Sequence, residues 1–266
     1  MDDYLDINRA HWNDRTPAHL GSKFYDVAGW LAGQDSLREI EAGMLPDDLT
    51  GQRLLHLQCH FGQDSLSLAR RGADVTGVDL SDRAIEAARD LATRAGLTAR
   101  FINCDLYSLP DHLDEAGRFD YVFTSYGTIG WLPDMDRWAA VVARYLRPGG
   151  RFVFVEFHPL AWLWNEERTG LEYSYFGGVP IVEEAEGSYT DGSEGVKGKN
   201  VSWDHPVSKV ITALLDQGLR LRAFREYDFS PYDCFPDTVQ VGAQRWQLRG
   251  LEGKIPLTYA LDMVRE

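Results

Sequence analysis

The sequence lacks the features of a disulfide-stabilised, exported or membrane-spanning protein. Its only cysteines, Cys59, Cys104 and Cys234, are far apart and form no C-x-x-C pair, which argues against a disulfide framework and a zinc cluster. No apolar run is long enough to cross a bilayer, and the amino terminus has no cationic start followed by an apolar segment. We therefore expect a cytoplasmic protein with no membrane partner.

Positive charge is also scarce. The 266 residues include 27 Lys and Arg against 41 Asp and Glu, so the formal net charge is -14. Nucleic-acid binding normally relies on basic surfaces, and this balance predicts that nucleic acid is not a partner. The hydrophobic fraction of 44% is enough for one sizeable core.

Short apolar runs alternate with segments of helical period from Arg53 onward. This alternation is typical of a doubly wound, mostly parallel sheet with helices on both faces. Ser81 and Asp134 are positioned to cap the helices that follow the second and fourth strands. Residues 229–251 are expected to form a long connection, with or without a short extra strand. The predicted strands are 53–59, 75–79, 99–104, 121–125, 152–157, 219–228 and 255–263.

Three predicted strand ends carry residues suited to a nucleoside. Gly62 lies in the turn after the first strand, where a glycine lets a ligand approach the backbone. Asp79 ends the second strand, 17 residues later, where a carboxylate can accept hydrogen bonds from ribose hydroxyls. Asp105 ends the third strand and suits an adenine amino group. Each feature alone also fits a tight turn or a helix cap.

From Gly51 to Phe157, with 219–265 supplying the last strands, the chain resembles the class I S-adenosylmethionine-dependent methyltransferases of the bacterial small-molecule type. The resemblance implies a seven-stranded Rossmann-like fold and S-adenosylmethionine as cofactor, with S-adenosylhomocysteine as product. It also implies Asp79 and Leu80 at the ribose, Asp105 and Leu106 around the adenine, and Gly62 in the turn.

The first motif departs from the usual acid-x-Gly-x-Gly-x-Gly pattern. His56 stands in the acidic position, and Gln58 and His60 replace two glycines. His56 fits either a core histidine or a cofactor contact. Gln58 and His60 are expected to reach the methionine end of the cofactor.

The implied reaction is an in-line transfer of the methyl group to an O or N atom of a small-molecule acceptor. His158, at the end of the fifth strand, is the candidate general base, and a loop-anchoring histidine is the alternative. Tyr126, beside Gly127 at the end of the fourth strand, resembles the fourth motif of the class. No motif specifies a metal, so we predict none.

The flanking segments are expected to cover the site. Residues 1–50 resemble a helical amino-terminal cap, with Trp12 and Tyr25 as cofactor contacts or as an apolar face that docks on the core. Residues 51–266 form the predicted methyltransferase domain. Within it, the aromatic-rich insertion 159–205 is expected to form part of an acceptor lid, and an interface in a homodimer is the alternative.

Two other functions stay open. A nicotinamide-dependent oxidoreductase also places an acid on a ribose, but its G-x-G-x-x-G turn is absent here. A nucleoside-binding regulatory module without catalysis would show binding and no turnover.

Overall fold

The computed structural model describes residues 3–165 and 168–266. Its strands, in chain order, are β1 (Arg53–Leu57), β2 (Asp74–Asp79), β3 (Arg100–Asn103), β4 (Phe119–Ser125), β5 (Leu146–Phe157), β6 (Ile181–Glu186), β7 (Lys197–Ser202), β8 (Leu219–Tyr227), β9 (Thr238–Gly242), β10 (Arg245–Leu248) and β11 (Thr258–Arg265). Its helices are α1 (Tyr4–Gly21), α2 (Val27–Leu31), α3 (Glu39–Ala42), α4 (Gln63–Arg70), α5 (Asp82–Ala95), α6 (Leu109–His112), α7 (Met135–Tyr145) and α8 (Val207–Asp216).

Seven strands form one mixed sheet in the order β3-β2-β1-β4-β5-β11-β8. The first five strands are parallel, and β11 is antiparallel to both β5 and β8. The central strands are nearly continuous buried runs because helices cover both faces of a parallel sheet. The predicted doubly wound, mostly parallel sheet is confirmed.

Side-chain caps begin two of the crossover helices, as predicted. The Ser81 hydroxyl accepts a hydrogen bond from the Ala84 amide ahead of α5, and the Asp134 carboxylate accepts from the Asp136 and Arg137 amides ahead of α7. Both helices bury one apolar face against the sheet. These helices thereby fix the loops at the carboxyl ends of the parallel strands.

The structure differs from the sequence prediction at several strand boundaries. β1 ends at Leu57, two residues early, because Gln58 has a positive φ of 54° and leaves the extended conformation. β5 begins at Leu146 and includes the Pro-Gly-Gly segment that was expected to lie before the strand. Both segments predicted to be irregular contain a hairpin: β6 pairs with β7, and β9 with β10.

The β6–β7 hairpin packs on α1. The Asn8 side chain donates to the Val201 carbonyl at 2.8 Å and accepts from the Val201 amide at 2.9 Å. Arg15 Nη2 donates to the Gly187 carbonyl at 3.0 Å. The amino-terminal helix and the insertion therefore form a common wall on one side of the sheet edge. No described helix is both long and apolar enough to cross a membrane.

Candidate active site

A cavity of about 690 Å³ lies over the carboxyl ends of the parallel strands. Open α/β sheets bind their ligands at this edge. Eleven residues proposed from the sequence as cofactor contacts line it: Trp12, Tyr25, His56, Gln58, His60, Gly62, Asp79, Leu80, Asp105, Leu106 and Tyr126. The fold thus brings together side chains from α1, from the strand ends and from the loops between them.

The turn from β1 to α4 keeps a glycine-like backbone at two positions that are not glycine. Gln58, His60 and Gly62 have φ values of 54°, 52° and 74°, all in the left-handed region. Gln58 is held there by its Nε2, which donates to the Thr128 carbonyl at 2.8 Å. Its Oε1 is buried and has no hydrogen-bond partner among the described residues. This oxygen is free to accept from a ligand.

Packing requires a glycine at position 62. A Cβ at this position would lie 2.7 Å from a ring carbon of Phe101 and 3.0 Å from the Cβ of Ala88. The glycine therefore allows the turn to pack against α5 and β3. Gly62 also lines the cavity, and its expected role in letting a nucleoside approach the backbone stays a prediction.

Asp79 ties the end of β2 to the β1 turn. Its Oδ2 accepts from the His60 amide at 2.8 Å and its Oδ1 from the Ser81 amide at 2.9 Å. Burial raises the pKa of Asp79 to about 6, while the hydrogen bonds from the Ser81, His60 and Leu80 amides lower it. Each carboxylate oxygen keeps a further acceptor position. The two oxygens can therefore receive ribose hydroxyls as well as the amides.

Asp105 caps a helical turn, which the sequence analysis gave as the alternative to a contact with adenine. Its Oδ2 accepts from the Ser108 amide at 3.1 Å at the start of a short 3₁₀ turn over Leu106–Ser108. The carboxylate is nevertheless partly exposed to the cavity, beside the buried Leu106 side chain. The cap orients the carboxylate, and both roles are compatible.

His56 is a core histidine. Its ring is 3% exposed, and Nδ1 lies 2.8 Å from the Ser65 hydroxyl. Burial lowers the pKa of His56 to about 3, so the ring is neutral at ordinary pH. It contributes to the floor of the cavity as a neutral, hydrogen-bonded group.

The structure does not bring His158 into the site. Of the residues that the structure describes, His158 is not among those that line the cavity. Its Nδ1 accepts from the Leu160 amide at 3.2 Å, and its Nε2 lies 3.2 Å from Glu226 Oε1 on β8. Burial lowers the pKa of His158, and Glu226 partly opposes this. The geometry favours the loop anchor over the general base.

Sequence reasoning missed two buried carboxyl groups, one that lines the cavity and one that bonds a residue lining it. Glu156, near the end of β5, accepts from the Thr128 amide at 2.7 Å and also from the Gly127 amide. Glu41 of α3 is fully buried and accepts from the Tyr126 hydroxyl at 2.5 Å. Burial raises the pKa of Glu41 to about 8. Glu156 could have been found from the sequence, because it is the one acid inside the apolar run 152–157.

Comparisons with known proteins agree with this geometry. Residues 54–150 match the sequence family described as a methyltransferase domain. The magnesium-protoporphyrin O-methyltransferase of Rhodobacter capsulatus is 37% identical over 147 residues, which cover 51% of this chain and 63% of that protein. The S-adenosylmethionine-dependent methyltransferase of Mesorhizobium loti has the same fold, with a TM-score of 0.60, 24% identity and coverage of 88% and 100% of the two chains.

Residues 54–150 are therefore similar to a methyltransferase domain, and the fold is that of S-adenosylmethionine-dependent methyltransferases. The geranyl diphosphate C-methyltransferase of Streptomyces coelicolor, solved with S-adenosylhomocysteine, shares the fold over 99% of this chain and 98% of that chain, with a TM-score of 0.59 and 16% identity. The chain spans less than two thirds of the length of the curated relatives it matches. The acceptor therefore has to be inferred from the site itself.

The loop between β6 and β7 contacts α1 and the residues that follow it. The hydroxyls of Tyr25 and Tyr189 lie 2.5 Å apart, and His19 Nε2 lies 2.8 Å from the Ser188 hydroxyl. The Lys23 amide donates to Asp191 Oδ1 at 3.0 Å. The hairpin thus touches the same helix whose Trp12 side chain lines the cavity.

Proposed function

We propose that this protein transfers the methyl group of S-adenosylmethionine to an O or N atom of a small-molecule acceptor. The observation that carries the proposal is the cavity over the strand ends, into which Gln58, Asp79 and Asp105 face from β1, β2 and β3. Neighbouring strand ends in the order β3-β2-β1 offer contacts for adenine, ribose and methionine in turn.

The polar groups of this edge fit the donor. The Asp79 carboxylate suits the ribose hydroxyls, and Asp105 suits an adenine amino group. The buried Gln58 Oε1, which lacks a partner in the described part of the chain, can accept from the methionine ammonium. Gln58 thereby supplies an acceptor in a motif that has lost its usual acid at His56.

Catalysis is proposed to rest on positioning and on exclusion of water. The bound cofactor supplies an electrophilic sulfonium methyl, and the protein has to hold the acceptor in line with it. Tyr126 and Phe157 line the cavity at the ends of β4 and β5, next to the proposed methyl position. Their rings present flat apolar surfaces that exclude water from an acceptor. The name of the Rhodobacter relative supports oxygen as the accepting atom.

The flanking segments are proposed to enclose both ligands. Residues 1–50 act as the cap over the cofactor, and 159–205 act as the acceptor lid, supported by the contacts between Tyr25 and Tyr189. A homodimer interface for the insertion remains the alternative that sedimentation can test. The acidic composition supports a small-molecule acceptor over nucleic acid and is compatible with a cytoplasmic location.

Calorimetry and product analysis test this function. We expect S-adenosylmethionine and S-adenosylhomocysteine to bind the full chain, and NADH to show no comparable binding. Transfer of labelled methyl groups to a panel of small phenols, acids and amines then identifies the acceptor. Absence of S-adenosylhomocysteine binding would reject the function. Tight binding with no transfer to any cellular small-molecule extract would favour the regulatory module.

A further inference from the structure

Glu156 is a buried carboxyl group whose two oxygens face hydrogen-bond donors. It is 4% exposed and lines the cavity near the end of β5. Its Oε2 accepts from the Thr128 amide at 2.7 Å, from the Thr128 hydroxyl at 2.9 Å and from the Ile129 amide at 3.2 Å. Its Oε1 accepts from the amides of Gly127 and Phe157. A protonated carboxyl group would need an acceptor for its own proton, and these contacts offer none.

The surroundings of Glu156 favour its ionised form. Burial raises its pKa, and the hydrogen bonds from four backbone amides lower it. A proton on either oxygen would displace one of these donors, so the geometry favours the carboxylate. In the ranges 3–165 and 168–266, no cationic side chain lies within 4.0 Å of it. The negative charge is therefore met by the dipoles of peptide groups rather than by a second charge.

One peptide group connects this carboxylate to Gln58. The peptide between Thr128 and Ile129 donates its N–H to Glu156. The carbonyl of the same peptide accepts from Gln58 Nε2 at 2.8 Å. A carbonyl can only accept, so the Gln58 amide presents its nitrogen to Thr128 and its oxygen to the opposite side. That oxygen is buried and has no hydrogen-bond partner in the described part of the chain. The chain of bonds thus ends in an unused acceptor on a residue that lines the cavity.

Polarisation along these bonds makes the Gln58 oxygen a stronger acceptor. A carboxylate at the N–H end of a peptide group shifts electron density towards its carbonyl oxygen, and that carbonyl acts on the Gln58 amide in the same way. The effect is larger in a buried site, where the local dielectric is low. His56 stands where the first motif usually has an acid, and burial lowers its pKa to about 3, so it carries no charge. Glu156 can supply the missing negative character from β5.

We propose that Glu156 is a positioning residue that enables Gln58 to recognise the ammonium group of the donor. This inference rests on the proposed function, because it explains how the methionine end of the same cofactor is held. Glu156 acts through the peptide group between residues 128 and 129 and not by contact with the donor. It fixes the loop after β4, orients the Gln58 amide and strengthens its oxygen as an acceptor for a cation.

Calorimetry with two ligands tests the proposal. S-adenosylhomocysteine carries the ammonium group, whereas its deamino analogue has a hydrogen there and keeps the carboxylate. Wild type should bind S-adenosylhomocysteine about tenfold more tightly than the analogue, the scale of one charge-assisted hydrogen bond. Glu156→Gln should reduce this preference to about threefold or less, because an amide cannot accept at both oxygen positions. Glu156→Asp keeps the charge and should retain more of the preference. Equal binding of the two ligands by wild type would overturn the inference without requiring any variant to fold.

A double-mutant cycle tests whether Glu156 acts through Gln58. Gln58→Leu should remove most of the preference for S-adenosylhomocysteine over the analogue. Adding Glu156→Gln to this variant should then cause no further loss, because the group that transmits the effect is already absent. An equal loss of preference on introducing Glu156→Gln into wild type and into Gln58→Leu would overturn the inference.

His158→Ala is the matched control on the same segment of the chain. Its ring takes no part in the bonds from Glu156 to Gln58, so the variant should be less stable than wild type and keep the full preference. A loss of preference as large as that in Glu156→Gln would assign the effect to the stability of β5 and overturn the inference. Failure of wild type to bind S-adenosylhomocysteine at all would instead reject the proposed function.

Discussion

Nucleoside binding should depend on the ionisation of Asp79. Because burial raises its pKa to about 6, roughly nine tenths of the free protein is ionised at this site at pH 7 and only about one tenth at pH 5. Ribose hydroxyls donate to the ionised form, so lowering the pH from 7 to 5 should weaken nucleoside affinity about tenfold. Binding should also release a proton near pH 6.

The same pKa shift makes the free protein less stable as the pH rises, whereas nucleoside affinity increases with pH. The folded pKa of Asp79 lies above its unfolded value near 3.8, so this carboxyl stabilises the free protein below about pH 4. The contribution of Asp79 to the free energy of unfolding is lost as the pH rises through about 6. A bound ribose favours the ionised carboxylate and should therefore recover part of this stability.

Calorimetry with 5′-methylthioadenosine measures this effect, because the ligand has no amino-acid end to titrate. Asp79→Asn should bind weakly and with little pH dependence between pH 5 and 7. Asp204 also lines the cavity, and burial raises its pKa to about 6. Asp204→Asn is therefore the matched control and should keep the wild-type dependence. Wild-type affinity that stays constant from pH 5 to 7 would refute the reasoning.

Three further predictions concern packing, the fifth strand and the insertion. Gly62→Ala should destabilise the fold by about 2 to 4 kcal/mol in denaturant titration, because its Cβ meets Phe101, whereas Gly96→Ala has open space and should cost only about 1 kcal/mol; equal losses would contradict the packing role. His158→Ala should lower the free energy of unfolding by about 1 to 3 kcal/mol and leave S-adenosylhomocysteine affinity unchanged. Loss of turnover in a variant as stable as wild type would instead support His158 as the general base. Trimming 187–198 to a short linker should preserve cofactor affinity and oligomeric state while impairing methylation of whichever acceptor the screen identifies; conversion of a dimer to a monomer with unchanged acceptor kinetics would favour the interface.

The sheet was predictable because burial on both faces leaves a strong pattern. The runs that became β1, β2 and β4 are apolar, and Ser81 and Asp134 mark the following helices. The β6–β7 hairpin was missed because most of Ile181–Glu186 is exposed on both faces, so its side chains show no apolar alternation. Its position is set by long-range bonds such as those between Asn8 and Val201, which a local pattern cannot reveal.

The residues of the candidate site also fall into those that local sequence patterns could place and those that they could not. Residues at the parallel strand ends, such as Asp79 and Asp105, could be placed because those ends share one edge of the sheet. Glu41 could not, because it lies on the short helix α3, whose packing against β5 is a long-range contact that no local pattern reveals. His158 was placed at the right edge, but its ring turns towards Glu226 on the antiparallel side of the sheet. Strand order alone does not specify that direction.

The unusual first motif is best understood through its backbone. Gln58 and His60 adopt left-handed conformations that cost a non-glycine residue about 1 kcal/mol or more, and Tyr126 does the same at the end of β4 with a φ of 45°. Each is held by a specific contact: the Gln58 amide to Thr128, the His60 backbone to Asp79, and the Tyr126 hydroxyl to Glu41. Glycine at any of these positions would relieve the strain but remove a side chain from the cavity. All three strained residues line that cavity, so the geometry points to ligand binding as the reason for retaining large polar side chains there.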